Sequence, residues 1–139
     1  MADECIFCAI VDGEIPGRIV AEDDRAVAFL DATPLAPGHT LVIPRDHHER
    51  LNDLPDDIAG EVMAAVHRLT PKVEAAVDAP ATTVAFNNGE AAGQEVPHVH
   101  CHIVPRFADD GGRPSHALVR DRPELDDDEL DDVAAAIQG

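Results

Sequence analysis

The chain has 139 residues, 28 acidic side chains against ten basic ones, a formal net charge of −18, and neither tryptophan nor tyrosine. That length suits one domain with a real core and is too short for two ordinary ones, so 1–139 is read as a single domain. The charge argues against nucleic acid and anionic membranes as partners, because their phosphates would be repelled rather than neutralised.

No apolar run approaches bilayer-spanning length. The acidic start, MADECIFCAIVDGEIP, is unlike a secretory signal. The expectation is a soluble, cytoplasmic protein. The acidic residues are spread along the chain and are densest in LDDDELDD near the end; Lys72 is the sole lysine. An acidic, lysine-poor surface reads as salt adaptation, since self-repulsion that destabilises the fold in dilute buffer is screened at molar salt. Three cysteines, an odd number, argue against a disulfide scaffold.

In chain order, Cys5 to Val11 is short and apolar and predicts one or two helical turns ending near Gly13. RIVAEDDRAVAFLD alternates apolar and polar residues and predicts two strands around a turn at Glu22–Arg25. ATPLAPGH is a Pro/Gly loop, and TLVIP a short buried strand stopped by Pro44. From Leu54 the period changes. Pro55, Asp56 and Asp57 suit a helix start, and Ile58, Val62, Val66, Leu69 and Val73 keep helical spacing to about Val77, with Pro71 expected to kink or split the helix. TTVAFNN predicts a strand closed by NGEAAGQ, and VPHVHCHIV the last central strand. The tail from Pro123 predicts a helix with Leu125, Leu130, Val133 and Ile137 against an acidic face. The order fits an α+β domain: a mostly antiparallel five-stranded sheet, one long central helix and a C-terminal helix.

The histidine run carries the chemistry. In a strand, Val96, His98, His100, His102 and Val104 would share one face, and Val99, Cys101 and Ile103 the other, apolar one. Cys101 is then a buried, inert thiol. Three histidines in phase can chelate zinc, or supply a nucleophilic imidazole with helpers that orient it and assist the leaving group. Cys5-x-x-Cys8 fits either a redox pair, for which no thioredoxin-like unit is visible, or half of a zinc site.

HVHCHIV resembles the His-x-His-x-His-x-x signature of the histidine triad family of nucleotide hydrolases and transferases. CIFCAIVDGEIP, AFLDATPLAPGHTLVIPRDH and NNGEAAGQEVPHVHCHIVPR resemble further family segments in the expected order, so the motif-bearing part covers about 5–106 and leaves 107–139 as tail. The resemblance implies that His100 attacks the α-phosphorus of a nucleoside phosphoramidate or dinucleoside polyphosphate. A nucleotidyl-histidine forms and is resolved by water or another acceptor, releasing a nucleoside monophosphate. It implies that His102 contacts phosphate oxygens, that His39 is a fourth active-site histidine, and that Asp31 holds the ribose hydroxyls. Asn87, Gly93 and Gln94 match the phosphate-side loop.

Glu95 departs from the family pattern: many phosphoramidase-type members carry a hydroxyl residue there. A carboxylate beside phosphate must point away, be protonated or meet a basic part of the substrate. Cys5 and Cys8 resemble the zinc-bearing subset of the family and the related galactose-phosphate uridylyltransferases; His47 and His98 then complete a structural Cys2His2 zinc site. The base pocket would be apolar, with Ile6, Phe7, Phe29 and Leu30 as candidates. Family members are homodimers, which the resemblance extends to this chain. Two other readings stay open: a zinc hydrolase whose triad binds the metal, and a nucleotide-binding module with little turnover. His67 reads as a surface or packing residue, and His116 and the HALVRD stretch receive no role.

Overall fold

A computed structural model describes residues 5–114 and 118–139; His116 lies outside them. Helix α1, Ile6–Val11, opens the fold. A hairpin of β1 (Ile19–Glu22) and β2 (Ala26–Leu30) turns where Asp23 Oδ1 accepts from the Arg25 and Ala26 N–H groups, at 2.8 Å each. Those two bonds hold the Asp23 carboxyl below its usual range. Next come β3 (Thr40–Pro44), the long helix α2 (Asp56–Val77), β4 (Ala81–Phe86), β5 (Cys101–Arg106) and α3 (Asp127–Gln138). The five strands form one antiparallel sheet in the order β1-β2-β3-β5-β4.

Strand alternation divides the core into two layers. Ala26, Ala28, Val42, Cys101 and Ile103 face α2 and pack on Ile58, Val62, Val66, Leu69 and Val73. The intervening residues Val27, Phe29, Leu41 and Ile43 face α1 and pack on Cys5, Phe7 and Cys8. The helical spacing read from the sequence is thus the buried stripe of α2. Cys101 sits in the α2 layer, where burial pushes its thiol up to about 12.

Three expectations need correction. Pro71 lies inside α2 without ending it; the helix runs on to Asp78, which caps it in the left-handed conformation at φ 55. The last strand begins at Cys101 and not before His98. Pro97 has no N–H to give a ladder, the His98 N–H bonds to Val96 O at 2.8 Å, and the Val99 N–H bonds to His48 O at 2.8 Å. The approach to β5 is therefore bent, and His98 and His102 point to different places. Finally, the tail helix α3 begins at Asp127 and not at Pro123, because Asp126 caps it in a box with Glu129. Its apolar residues Leu130, Val133 and Ile137 stay exposed, Ile137 by 80%.

Among the described residues no helix is long and apolar enough to cross a membrane.

Candidate active site

β3 and β5 pair with Leu41 opposite His102, which brings the end of the PGH loop alongside the histidine run. Gly38 permits this loop. It has φ +89, and a Cβ there would lie 3.0 Å from Val77 and 3.3 Å from Pro105. His39 follows it and is buried.

Hydrogen bonds fix the tautomers. The Leu35 N–H donates to His39 Nδ1 at 3.1 Å, so the proton of neutral His39 is on Nε2. That nitrogen lies 2.9 Å from His102 Nδ1 and donates to it. His102 must then carry its proton on Nε2, and this atom is buried without a partner among the described residues. Burial depresses both rings, His102 to about 4, with Asp31 offsetting only part of the effect. The pair is a neutral relay ending in one unused donor.

His100 is set the opposite way. Its Nδ1 lies 2.8 Å from the His98 carbonyl, which can only accept, so the Nε2 lone pair is free. The ring packs edge-on between Phe7 and His102, with centroids 5.1 Å and 4.9 Å away. His100 and His102 share a cleft of about 320 Å³. Ile6, Phe7, Phe29 and Leu30 form its apolar wall, and Asp31, Asn87, Gly93 and Glu95 its polar edge. The residues proposed for base and phosphate contacts are thus gathered around one space. Asp31 Oδ1 accepts from the Thr33 N–H at 2.9 Å and from its hydroxyl at 3.3 Å, while Oδ2 is 3.7 Å from His39 Nδ1, beyond hydrogen-bonding reach.

Gln94 is placed differently from the rest. Its Oε1 accepts from the Gly89 N–H at 2.8 Å, and its Nε2 donates to Glu49 O at 2.6 Å and Val96 O at 2.9 Å. The amide laces the loop together and does not line the cleft. Gly93, at φ +98, gives that loop its left-handed turn.

His98 is fully buried and faces a second cluster. Its Nε2–H donates to the Pro44 carbonyl at 2.9 Å, which turns the Nδ1 lone pair toward Cys5 Sγ at 3.3 Å and Cys8 Sγ at 3.5 Å. His47 Nδ1 lies 3.3 Å from Cys8 Sγ, and all four ligand atoms fall within 4.8 Å of one another. A tetrahedral zinc with ordinary bond lengths separates sulfur from nitrogen by roughly 3.5 Å, so the donor set fits that ion. Burial, with Cys5 alongside, pushes the Cys8 thiol up to about 11, so without a metal it stays a thiol. His48 belongs to no such cluster among the described residues; its carbonyl holds Val99.

The triad nitrogens do not converge on one point. Asp31, His39 and His102 do lie close together, but a direct hydrogen bond joins the two imidazoles and a backbone N–H occupies the outer nitrogen. The backbone groups that orient these rings, Leu35 N–H and the Pro44 and His98 carbonyls, have no signature in the sequence.

The HIT domain matches residues 12–109. An uncharacterized HIT-like protein of Methanocaldococcus jannaschii is 46% identical over 107 residues, covering 77% of this chain and 82% of its own. The adenosine 5'-monophosphoramidase of Saccharomyces cerevisiae is 40% identical, covering 78% and 66%. The adenylylsulfatase of Arabidopsis thaliana is 34% identical, covering 91% and 64%. Among solved structures, a HIT family protein of Bacillus anthracis superposes with a TM-score of 0.89 at 35% identity, covering 99% and 97%. A zinc-bound histidine triad family protein of Mycobacterium smegmatis does so with 0.72 at 32%, covering 99% and 98%. With its family match spanning most of the chain, and its fold shared end to end, this protein belongs to the HIT domain family.

Proposed function

We propose that the chain is a nucleotide hydrolase or nucleotidyl transferase acting at the α-phosphorus of a nucleoside phosphoramidate or dinucleoside polyphosphate. The observation that carries this reading is the free Nε2 lone pair of His100 at the floor of the cleft, fixed by the Nδ1–H bond to His98 O. Two relatives bear names that point to adenylyl compounds, an adenosine 5'-monophosphoramidase and an adenylylsulfatase.

In this reading His100 Nε2 forms a bond to phosphorus and the bond to the leaving group breaks, its electron pair going to the leaving atom. His102 Nε2–H, otherwise unpaired, donates to the phosphoryl oxygen where negative charge develops. His39 keeps that proton on the outer nitrogen of His102 and acts as a positioning residue. Water then attacks phosphorus, the P–Nε2 bond breaks, and the imidazole is restored with release of the monophosphate. Asp31 binds the ribose through Oδ2, Asn87 and the Gly93 turn meet the phosphate, and Ile6, Phe7, Phe29 and Leu30 hold the base.

Cys5, Cys8, His47 and His98 would hold zinc in a closed four-ligand site. A bound zinc supplies no chemistry to the substrate there; it clamps α1 to the segment that carries His100. The acidic, lysine-poor composition supports a protein that works at high salt, and the open β4 edge with the exposed α3 stripe supports a homodimer.

The test is turnover of adenosine phosphoramidate and diadenosine polyphosphates in molar potassium chloride by the wild type and His100→Ala. The wild type should release AMP, and the variant should lose at least about a thousandfold in rate. A folded wild type that binds AMP but turns over neither substrate would make this a binding module.

A further inference from the structure

A second, broader groove of about 720 Å³ adjoins the cleft, and Gly93 and Glu95 line both. Glu49, Glu90 and Glu95 supply three exposed carboxylates to it, none with a hydrogen bond or ion pair from its side chain among the described residues. Among the described residues Arg50 is the sole cation of the groove, and its guanidinium is turned to the loop backbone. It donates to Asn88 O at 3.3 Å and lies where a Cβ on Gly89 would come within 3.0 Å.

The acidic groove reaches the cleft through Gly93 and Glu95, which line both, while His100 lines the cleft alone. His100 is only 8% exposed, its Nε2 has no hydrogen-bond partner, and it opens into the cleft that the groove continues. Displacement at phosphorus is in line, so whatever leaves departs on the side away from the attacking nitrogen. A base and ribose held on the Phe7–Asp31 side would direct the leaving group past Gly93 and Glu95 into the carboxylate-lined groove.

We infer that this groove is a leaving-group subsite that selects amines carrying a positive charge and disfavours anionic leaving groups such as polyphosphate and sulfate. The inference rests on the nucleotidyl-transfer reading of the cleft. In the selected reaction Nε2–P forms and P–N breaks. The electron pair stays on the amine nitrogen, which takes a proton from water, and a second ammonium on the amine remains charged beside the three carboxylates. Glu95 then acts as a specificity residue, and the departure from a hydroxyl residue there has a chemical reason.

Three adenosine phosphoramidates of equal length, ending in an ammonium, a hydroxyl or a carboxylate, test this together with adenylyl sulfate. Specificity constants would be compared between the wild type and the triple variant Glu49→Gln, Glu90→Gln, Glu95→Gln. The potassium chloride series would run down to the lowest concentration at which circular dichroism reports folded protein. The ammonium compound should exceed the carboxylate compound by at least about tenfold in the wild type, and the ratio should grow as salt falls. In the triple variant the ratio should collapse to within about twofold. Equal ratios in the two proteins would overturn the inference. Calorimetric binding of the same compounds to His100→Ala reads the charge preference without turnover. A preserved binding preference in His100→Ala beside a wild type that turns over none of the compounds would therefore refute the nucleotidyl-transfer reading alone, and equal binding and turnover of all three by the wild type would refute the subsite.

Discussion

At the residue scale the central feature is the difference between two histidines on one short run. A carbonyl fixes the His100 proton on Nδ1, and an imidazole fixes the His102 proton on Nε2. One ring thus offers a lone pair and the other a donor. His102→Ala should lower kcat/KM by about a hundred- to a thousandfold, the scale of losing one donor to a developing oxyanion, while adduct formation at His100 persists. His39→Ala should cost less, and His39→Gln should recover part of the loss, because an amide N–H can still donate to His102 Nδ1; steady-state rates of the three variants check this. The HxHxH spacing and its resemblance already gave His98, His100 and His102 different expected roles, and the three rings lie in different surroundings. The Leu35–His39–His102 relay was not legible there, because it depends on the β3–β5 register. Nor was the structural use of Gln94, whose three bonds exist only once the loop has folded back on Glu49.

At the element scale, α2 shows where local pattern decides and where packing overrides it. Its apolar spacing placed Ile58, Val62, Val66, Leu69 and Val73 in the core, and all five are buried. Pro71 breaks the local rule, since it removes an N–H from the helix interior, yet buried residues on both sides keep the helix whole. Restoring the N–H with Pro71→Ala should raise unfolding stability by about 1–3 kcal/mol, read by denaturant midpoint. Leu69→Ala should lower it by roughly 2–5 kcal/mol through loss of packing and a residual cavity. The bend before Cys101 escaped the alternation pattern because Val, His and Cys alternate equally well in a strand and in an extended approach to one. Only the His48 carbonyl and the Pro97 ring decide between them. For α3 the pattern revealed a helix with an apolar stripe, and that stripe stays exposed.

At the scale of the whole molecule, charge and proton binding govern stability. Burial lowers His98 and His102 to about 4, and depresses His39 as well. The unfolded chain therefore binds more protons than the native one as pH falls from about 6.5 toward 4, so stability is flat above that window and declines through it. In metal-free protein at molar salt the loss by pH 5.5 should be roughly 1 kcal/mol for each of the two strongly shifted rings, measured by thermal unfolding from pH 7.5 down. A midpoint unchanged between pH 7.5 and 5.5 would contradict the burial of these rings. With 28 acidic side chains and four arginine–carboxylate ion pairs among the described residues, most carboxylates repel one another. Thermal midpoints should rise steadily from about 0.1 M to molar potassium chloride as the screening length falls from roughly 10 to 3 Å; a flat response would remove the case for salt adaptation.

Nucleotidyl transfer in this cleft depends most on His100 making a covalent bond to phosphorus. Rapid acid or base quench of wild-type protein with adenosine phosphoramidate, followed by peptide mass spectrometry, would read that bond directly. An AMP adduct on His100 should form and decay within turnover and be missing in His100→Ala. AMP release with no adduct on any histidine, or with the adduct undiminished in His100→Ala, would contradict nucleotidyl transfer through His100.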